Sequence, residues 1–134
     1  MRTLGDHGWL NAYIGIPYEA GGRGPDSYDC YGLCMAIYAD VFEIDLPDWQ
    51  GDVNCIADRT EAIDDVVNTG NWMDLEEPFD GCFVICARQK ASYHLGLYFA
   101  GGVVHAWEGC GVIYEPLSRF AERFGKLKFG DWAP

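Results

Sequence analysis

Three residues of this chain have the types and placement that nucleophilic chemistry requires: Cys30, His94 and His105. A thiol attacks only as its thiolate, and an ordinary thiol with a pKa of about 8.5 is ionised to only a few per cent at neutral pH. The first turn of a helix, with its exposed N–H groups, and a neighbouring imidazole both lower that value. Cys30 satisfies the first condition. Cys30, Leu33, Cys34, Ile37, Tyr38 and Val41 recur on one helical stripe, which predicts a helix from Asp29 to about Phe42 with Cys30 in its first turn. Asp29 reads as the N-cap of that helix, or as a carboxylate that holds a cationic group of a substrate.

The histidines flank Ala100-Gly101. If those two residues close a two-residue hairpin, His94 falls opposite Trp107 and His105 takes the diagonal place on the same face. Leu95, Leu97 and Phe99 then point one way while His94, Gly96 and Tyr98 point the other. Glycine at 96 leaves space beside His94 for another group. Either histidine alone would read as an ordinary sheet residue. Together with a helix-start thiol they make a nucleophile, a base and a group to orient the base.

The elements that would position these groups follow from periodicity. Trp9, Leu10, Tyr13 and Ile14 predict a first helix capped by Asp6 and ending near Gly15, and Cys55–Asn68 reads as a further amphipathic helix closed by Gly70. Between them, Gly21-Gly22-Arg23-Gly24-Pro25 is a loop by composition. The period then changes to two, with strands expected near 82–87, 93–99, 103–107 and 112–115. A short helix over 116–124 and a last strand over 126–129 complete the pattern. Helices first and an antiparallel sheet after make an α+β domain, and 134 residues suit a single one spanning 1–134.

Composition narrows the partners. A formal charge of −12 repels phosphate backbones and argues against nucleic acid. No apolar run reaches the roughly 20 residues of a membrane helix, and Asp6, His7 and Asn11 interrupt any signal-peptide core. Synthesis in a reducing compartment with free thiols is therefore expected. Cys82 and Cys86 lie in one extended run, where four residues span about 13 Å, too far for a disulfide between them. The apolar Phe-Val-Ile between them makes a poor zinc turn, and no metal or organic cofactor is expected.

The segments Ile16-Pro17-Tyr18-Glu19-Ala20-Gly21-Gly22, Asp29-Cys30-Tyr31-Gly32-Leu33, His94-Leu95-Gly96-Leu97-Tyr98 and Val104-His105-Ala106 resemble, in order, the motifs of the NlpC-type cysteine peptidases, a papain-like group of cell-wall hydrolases. The resemblance extends from about Tyr13 to Glu115. It implies N-terminal helices packed on a central antiparallel sheet, with the nucleophile at a helix N-terminus. It also implies Cys30 as nucleophile, His94 as base and His105 as the residue that fixes the tautomer of His94. Tyr18 matches a motif tyrosine near the nucleophile, and Asp29 matches an aspartate that meets a substrate amine. Tyr31 stands where wall hydrolases often carry serine, next to the substrate. The loop Gly22-Arg23-Gly24-Pro25, Leu46-Pro47 and Gly111-Val112 look most like the phage tail-assembly members.

The expected function is hydrolysis of a γ-D-glutamyl-diamino-acid bond in a peptidoglycan stem peptide. The expected place is a phage or prophage tail, assembled with other tail proteins after synthesis in the bacterial cytoplasm, and acting at the cell wall. Two alternatives stand beside it: a structural tail-tip component with the fold but little hydrolysis, and a thiolate-zinc module.

Overall fold

The stripe that begins at Cys30 forms helix α1 (Cys30–Phe42), and its Leu33, Cys34, Ile37 and Tyr38 are wholly shielded from solvent. The structure, a computed structural model, describes residues 8–47, 71–88 and 91–132. The helix expected over Cys55–Asn68 lies outside the described residues. Asp29 caps α1: its backbone is extended and its carboxylate accepts the Gly32 N–H at 2.6 Å.

Six strands follow: β1 (Trp72–Leu75), β2 (Phe83–Arg88), β3 (Ala91–Phe99), β4 (Gly102–Trp107), β5 (Gly111–Pro116) and β6 (Lys126–Trp132). They form one sheet in the order β1-β6-β2-β3-β4-β5, every neighbouring pair antiparallel. Helix α2 (Leu117–Phe124) connects β5 to β6. The α+β expectation holds, and the strands expected from the period of two all form.

Side-chain alternation gives the sheet two apolar faces. Leu95, Leu97, Phe99, Val104 and Ala106 pack with α1 in one cluster. Val84, Cys86 and Val103 pack with Phe120 and Phe124 of α2 in the other. Each fully buried aliphatic side chain contributes about 1.5–3 kcal/mol, so both helices are held mainly by these faces.

Two elements differ from expectation. The first helix is a five-residue 3-10 turn, Gly8–Ala12, and Ile14 is 41% exposed rather than inward-facing. The physical cause lies just downstream: Gly15 N–H donates to the Val112 carbonyl and Val112 N–H to that of Ile16, which draws the chain out along β5. Strand β1 was not expected. Its Met73 and Asp74 are exposed and only Trp72 and Leu75 are half-buried, so no apolar alternation marks it.

Candidate active site

Cys30 is half-buried at the first residue of α1, where backbone N–H groups have no partner one turn earlier in the helix. What holds this helix start in place is largely polar. Asp29 N–H donates to the Gly22 carbonyl at 3.1 Å, and Asp29 Oδ1 accepts from Arg23 Nη1 at 2.8 Å as well as from Gly32. A Cβ on Gly32 would stand 2.0 Å from the Gly22 oxygen, so only glycine lets the loop lie this close to the first turn. The loop is tied back in turn: Tyr28 N–H donates to Pro17 O and Glu19 N–H to Tyr28 O, with Tyr18 bridged to Tyr28.

The histidines are held differently. The turn at Ala100-Gly101, both residues with positive φ (49° and 83°), pairs Leu97 with Val104 and Phe99 with Gly102. That register sets His94 against Trp107, whose ring centroid lies 4.5 Å from its own, and brings His94 Nε2 to 2.9 Å from His105 Nδ1. Both rings are sealed in, at 1% and 0% exposure. Phe124 stacks on His94 at 4.8 Å, and Phe120 meets His105 edge-on at 4.7 Å. Backbone pairing between β3 and β4 stops at Leu97–Val104, and the two imidazoles join the strands beyond it. The space that Gly96 leaves is filled by β4 itself: a Cβ there would lie 2.7 Å from Val103 Cγ1 and 2.9 Å from His105 Cβ.

The two halves meet through the thiols. Helix α1 packs against β3 and β4. Cys86 lies directly opposite His94 in register. Burial pushes the Cys86 thiol up, and a negative charge on Cys30 pushes it further; the same two causes raise Cys34. The Cys30 sulfur is therefore within electrostatic reach of the strand position beside His94.

Burial first, and the charge of Arg123 second, lower the His105 pKa from 6.5 to about 3, so the ring is neutral across the physiological range. His105 Nε2 faces Glu115 Oε2 at 3.7 Å, and Glu115 Oε2 accepts from Arg123 Nη1 at 2.8 Å. Neither Glu115 nor Arg123 stood out in the sequence. Glu115 is diagonal to His105 across β4 and β5, since His105 pairs with Ile113, but the turn over 108–110 does not fix that register in advance.

Of the residues expected near substrate, Tyr18 is half-buried beside the loop, while Asp29 and Tyr31 are buried at 3% and 7% exposure. The Tyr31 hydroxyl donates to the Pro47 carbonyl, and Arg23 lies over its ring at 5.9 Å. Among the described residues, no three His, Cys, Asp or Glu gather as a metal site would need.

The sequence model of the NlpC/P60 family matches residues 15–123. The fold is similar to the NlpC/p60 domain of the peptidoglycan hydrolase SagA, with a TM-score of 0.63, 22% identity and 92% of each chain covered. It is also similar to NlpC1 from Trichomonas vaginalis, with a TM-score of 0.65 and 20% identity over 93% of this chain and 42% of that one. An NLP/P60-family protein from Staphylococcus aureus, described as similar to lipoprotein, gives a TM-score of 0.55 and 23% identity, covering 89% of this chain and 39% of that one. The chain thus spans nearly all of the SagA domain but about two-fifths of the other two. No curated protein sequence matches it.

Proposed function

The chain belongs to the NlpC/P60 family, a family of cysteine peptidases that includes peptidoglycan hydrolases, and from that premise we propose that it cleaves an amide bond in the peptidoglycan stem peptide. The observation that carries this reading is the 2.9 Å contact between His94 Nε2 and His105 Nδ1 on strands against which the Cys30 helix packs. With Nε2 occupied by His105, Nδ1 of His94 is the nitrogen left to serve Cys30.

In the proposed reaction, His94 Nδ1 takes the Cys30 proton and the thiolate attacks the scissile carbonyl. The resulting oxyanion meets the N–H of Cys30 at the positive end of α1. Collapse of the tetrahedral adduct breaks the C–N bond, and His94 returns its proton to the leaving amine. Water, deprotonated by His94, then hydrolyses the thioester and restores the thiol. His105 stabilises the imidazolium by accepting from Nε2–H, and its own neutrality keeps two positive rings from facing each other.

Our finer assignment is a γ-D-glutamyl-diamino-acid bond and a phage or prophage tail setting, in which the protein assembles with other tail proteins after synthesis in the cytoplasm. It rests on the loop Gly22-Arg23-Gly24-Pro25 and on Tyr31 after the nucleophile. Tyr18, beside the loop, is assigned to substrate contact. An amine of the stem peptide would meet Asp29 through Oδ2, since Oδ1 already accepts from Gly32 and Arg23. Mass spectrometry of purified peptidoglycan after incubation is the test. New stem-peptide fragments from the unmodified protein and none from Cys30→Ala are expected; identical fragment patterns from both proteins would overturn the reading.

A further inference from the structure

The histidine pair leaves one question open: which of the two nitrogens of His105 carries its single proton. If Nδ1 carries it, His94 Nε2 must accept, the proton of His94 moves to Nδ1, and the base no longer has a lone pair for Cys30. If Nε2 carries it, Nδ1 accepts from His94 Nε2–H and the base is correctly set. Nothing within the pair itself chooses between these two states.

We propose that Glu115, clamped by Arg123, is a positioning residue that holds the His105 proton on Nε2 and thereby sets the tautomer of His94. This rests on the reading of His94 as the base. Glu115 is only 6% exposed although it lies on the edge strand β5, where Val112 is the other buried residue, and its Oε2 lies 3.7 Å from His105 Nε2. Both His105 Nε2 and Glu115 Oε1 are buried without a hydrogen-bond partner. At this separation the interaction is a charge acting on a bond dipole, short of a full hydrogen bond. Its sign is unambiguous. A carboxylate attracts an N–H and repels an imidazole lone pair, and with little water to screen it the preference is strong.

Arg123 makes the arrangement tenable. An isolated buried carboxylate would tend to take up a proton, and a protonated Glu115 could offer its own O–H to Nε2 and invert the preference. The 2.8 Å bond from Arg123 Nη1 sets a fixed cation directly against the Glu115 carboxylate. Arg123 lies on α2, the helix whose Phe120 and Phe124 cover the same two rings, so one element supplies both the cover and the countercharge. Among the described residues, the charged and titratable groups facing His105 are then His94 from β3, Glu115 from β5 and Arg123 from α2.

Glu115→Gln separates charge from shape. Arg123 still needs an oxygen, so the amide is expected to turn its carbonyl to Arg123 and its NH2 to His105 Nε2, which must then accept. Long-range proton–nitrogen NMR of the labelled full chain reads the tautomer directly. In the unmodified protein, His105 should show a protonated Nε2 and an unprotonated Nδ1; in Glu115→Gln the two signatures should exchange. Hydrolysis of a stem peptide should fall roughly ten- to a hundredfold in kcat, within the share a general base supplies, with KM little changed. Arg123→Gln serves as a second variant on a partly exposed side chain: with the countercharge gone it should weaken the Nε2 preference of His105 and raise the His105 pKa.

A protonated Nδ1 on His105 in the unmodified protein would overturn the proposal. So would a Glu115→Gln protein with unchanged nitrogen signatures. If the tautomer exchanges as expected but the unmodified protein cuts no stem peptide, the positioning role stands and the proposed function fails.

Discussion

Cys30 and His94, the proposed nucleophile and base, are held by opposite kinds of force. Around Cys30 the restraints are hydrogen bonds: Gly22 to Asp29, Arg23 to Asp29, and Asp29 to the first turn of α1. Around His94 and His105 they are aromatic faces, with Trp107, Phe120 and Phe124 enclosing two rings that share one hydrogen bond. The difference matches the proposed tasks. A thiol that must meet substrate cannot be sealed, so backbone and cap position it from behind. An imidazole whose lone pair must face one way gains from a rigid apolar enclosure in which the Glu115 carboxylate, paired with Arg123, acts with little water around it.

If the enclosure is as apolar as this contrast requires, acid should damage it most. The His105 pKa falls from 6.5 in the unfolded chain to about 3 in the fold, so the neutral form stabilises the protein fully above pH 6.5. That contribution is lost as pH drops from 6.5 towards 3, by about 1.4 kcal/mol per unit and up to ~5 kcal/mol in all. Urea unfolding at pH 7.0 and 5.0 should show the loss before most carboxylates titrate, and His105→Asn should flatten it. A stability independent of pH over that interval would contradict a buried neutral His105.

Removing one wall of the enclosure comes next in size. Phe124 is 4% exposed and stacks on His94, and Phe124→Ala should cost about 3–5 kcal/mol in chemical denaturation. On the Cys30 side the effect should be smaller. Asp29→Ala removes a cap worth about 0.5–2 kcal/mol, so the midpoint should shift modestly, while Asp29→Asn should nearly restore it. Equal losses from Phe124→Ala and Asp29→Ala would erase the contrast between the two regions.

How much of this the sequence disclosed depends on which contacts are local. A two-residue turn fixes the register of a hairpin, so the ring contact of His94 with Trp107 and the approach of His105 were legible from Ala100-Gly101 alone. The stripe of α1 and the cap at Asp29 were legible for the same reason. The clamp of Arg123 on Glu115 was not, because it depends on how α2 docks onto the sheet, which no local pattern specifies. Strand β1 escaped notice because its exposed Met73 and Asp74 break the alternation, and the 3-10 turn at Gly8–Ala12 because the bonds of Gly15 and Ile16 to Val112 are long-range.

The most direct test of Cys30 as a nucleophile served by His94 sets reactivity against exposure. Cys110 is exposed and Cys30 only half-buried, so accessibility alone would have iodoacetamide label Cys110 first. Peptide mapping of the folded protein at pH 7 should instead find Cys30 carboxamidomethylated fastest, and His94→Ala should slow Cys30 while leaving Cys110 unchanged. Labelling of Cys110 ahead of an inert Cys30, or a Cys30 rate indifferent to His94→Ala, would contradict the account.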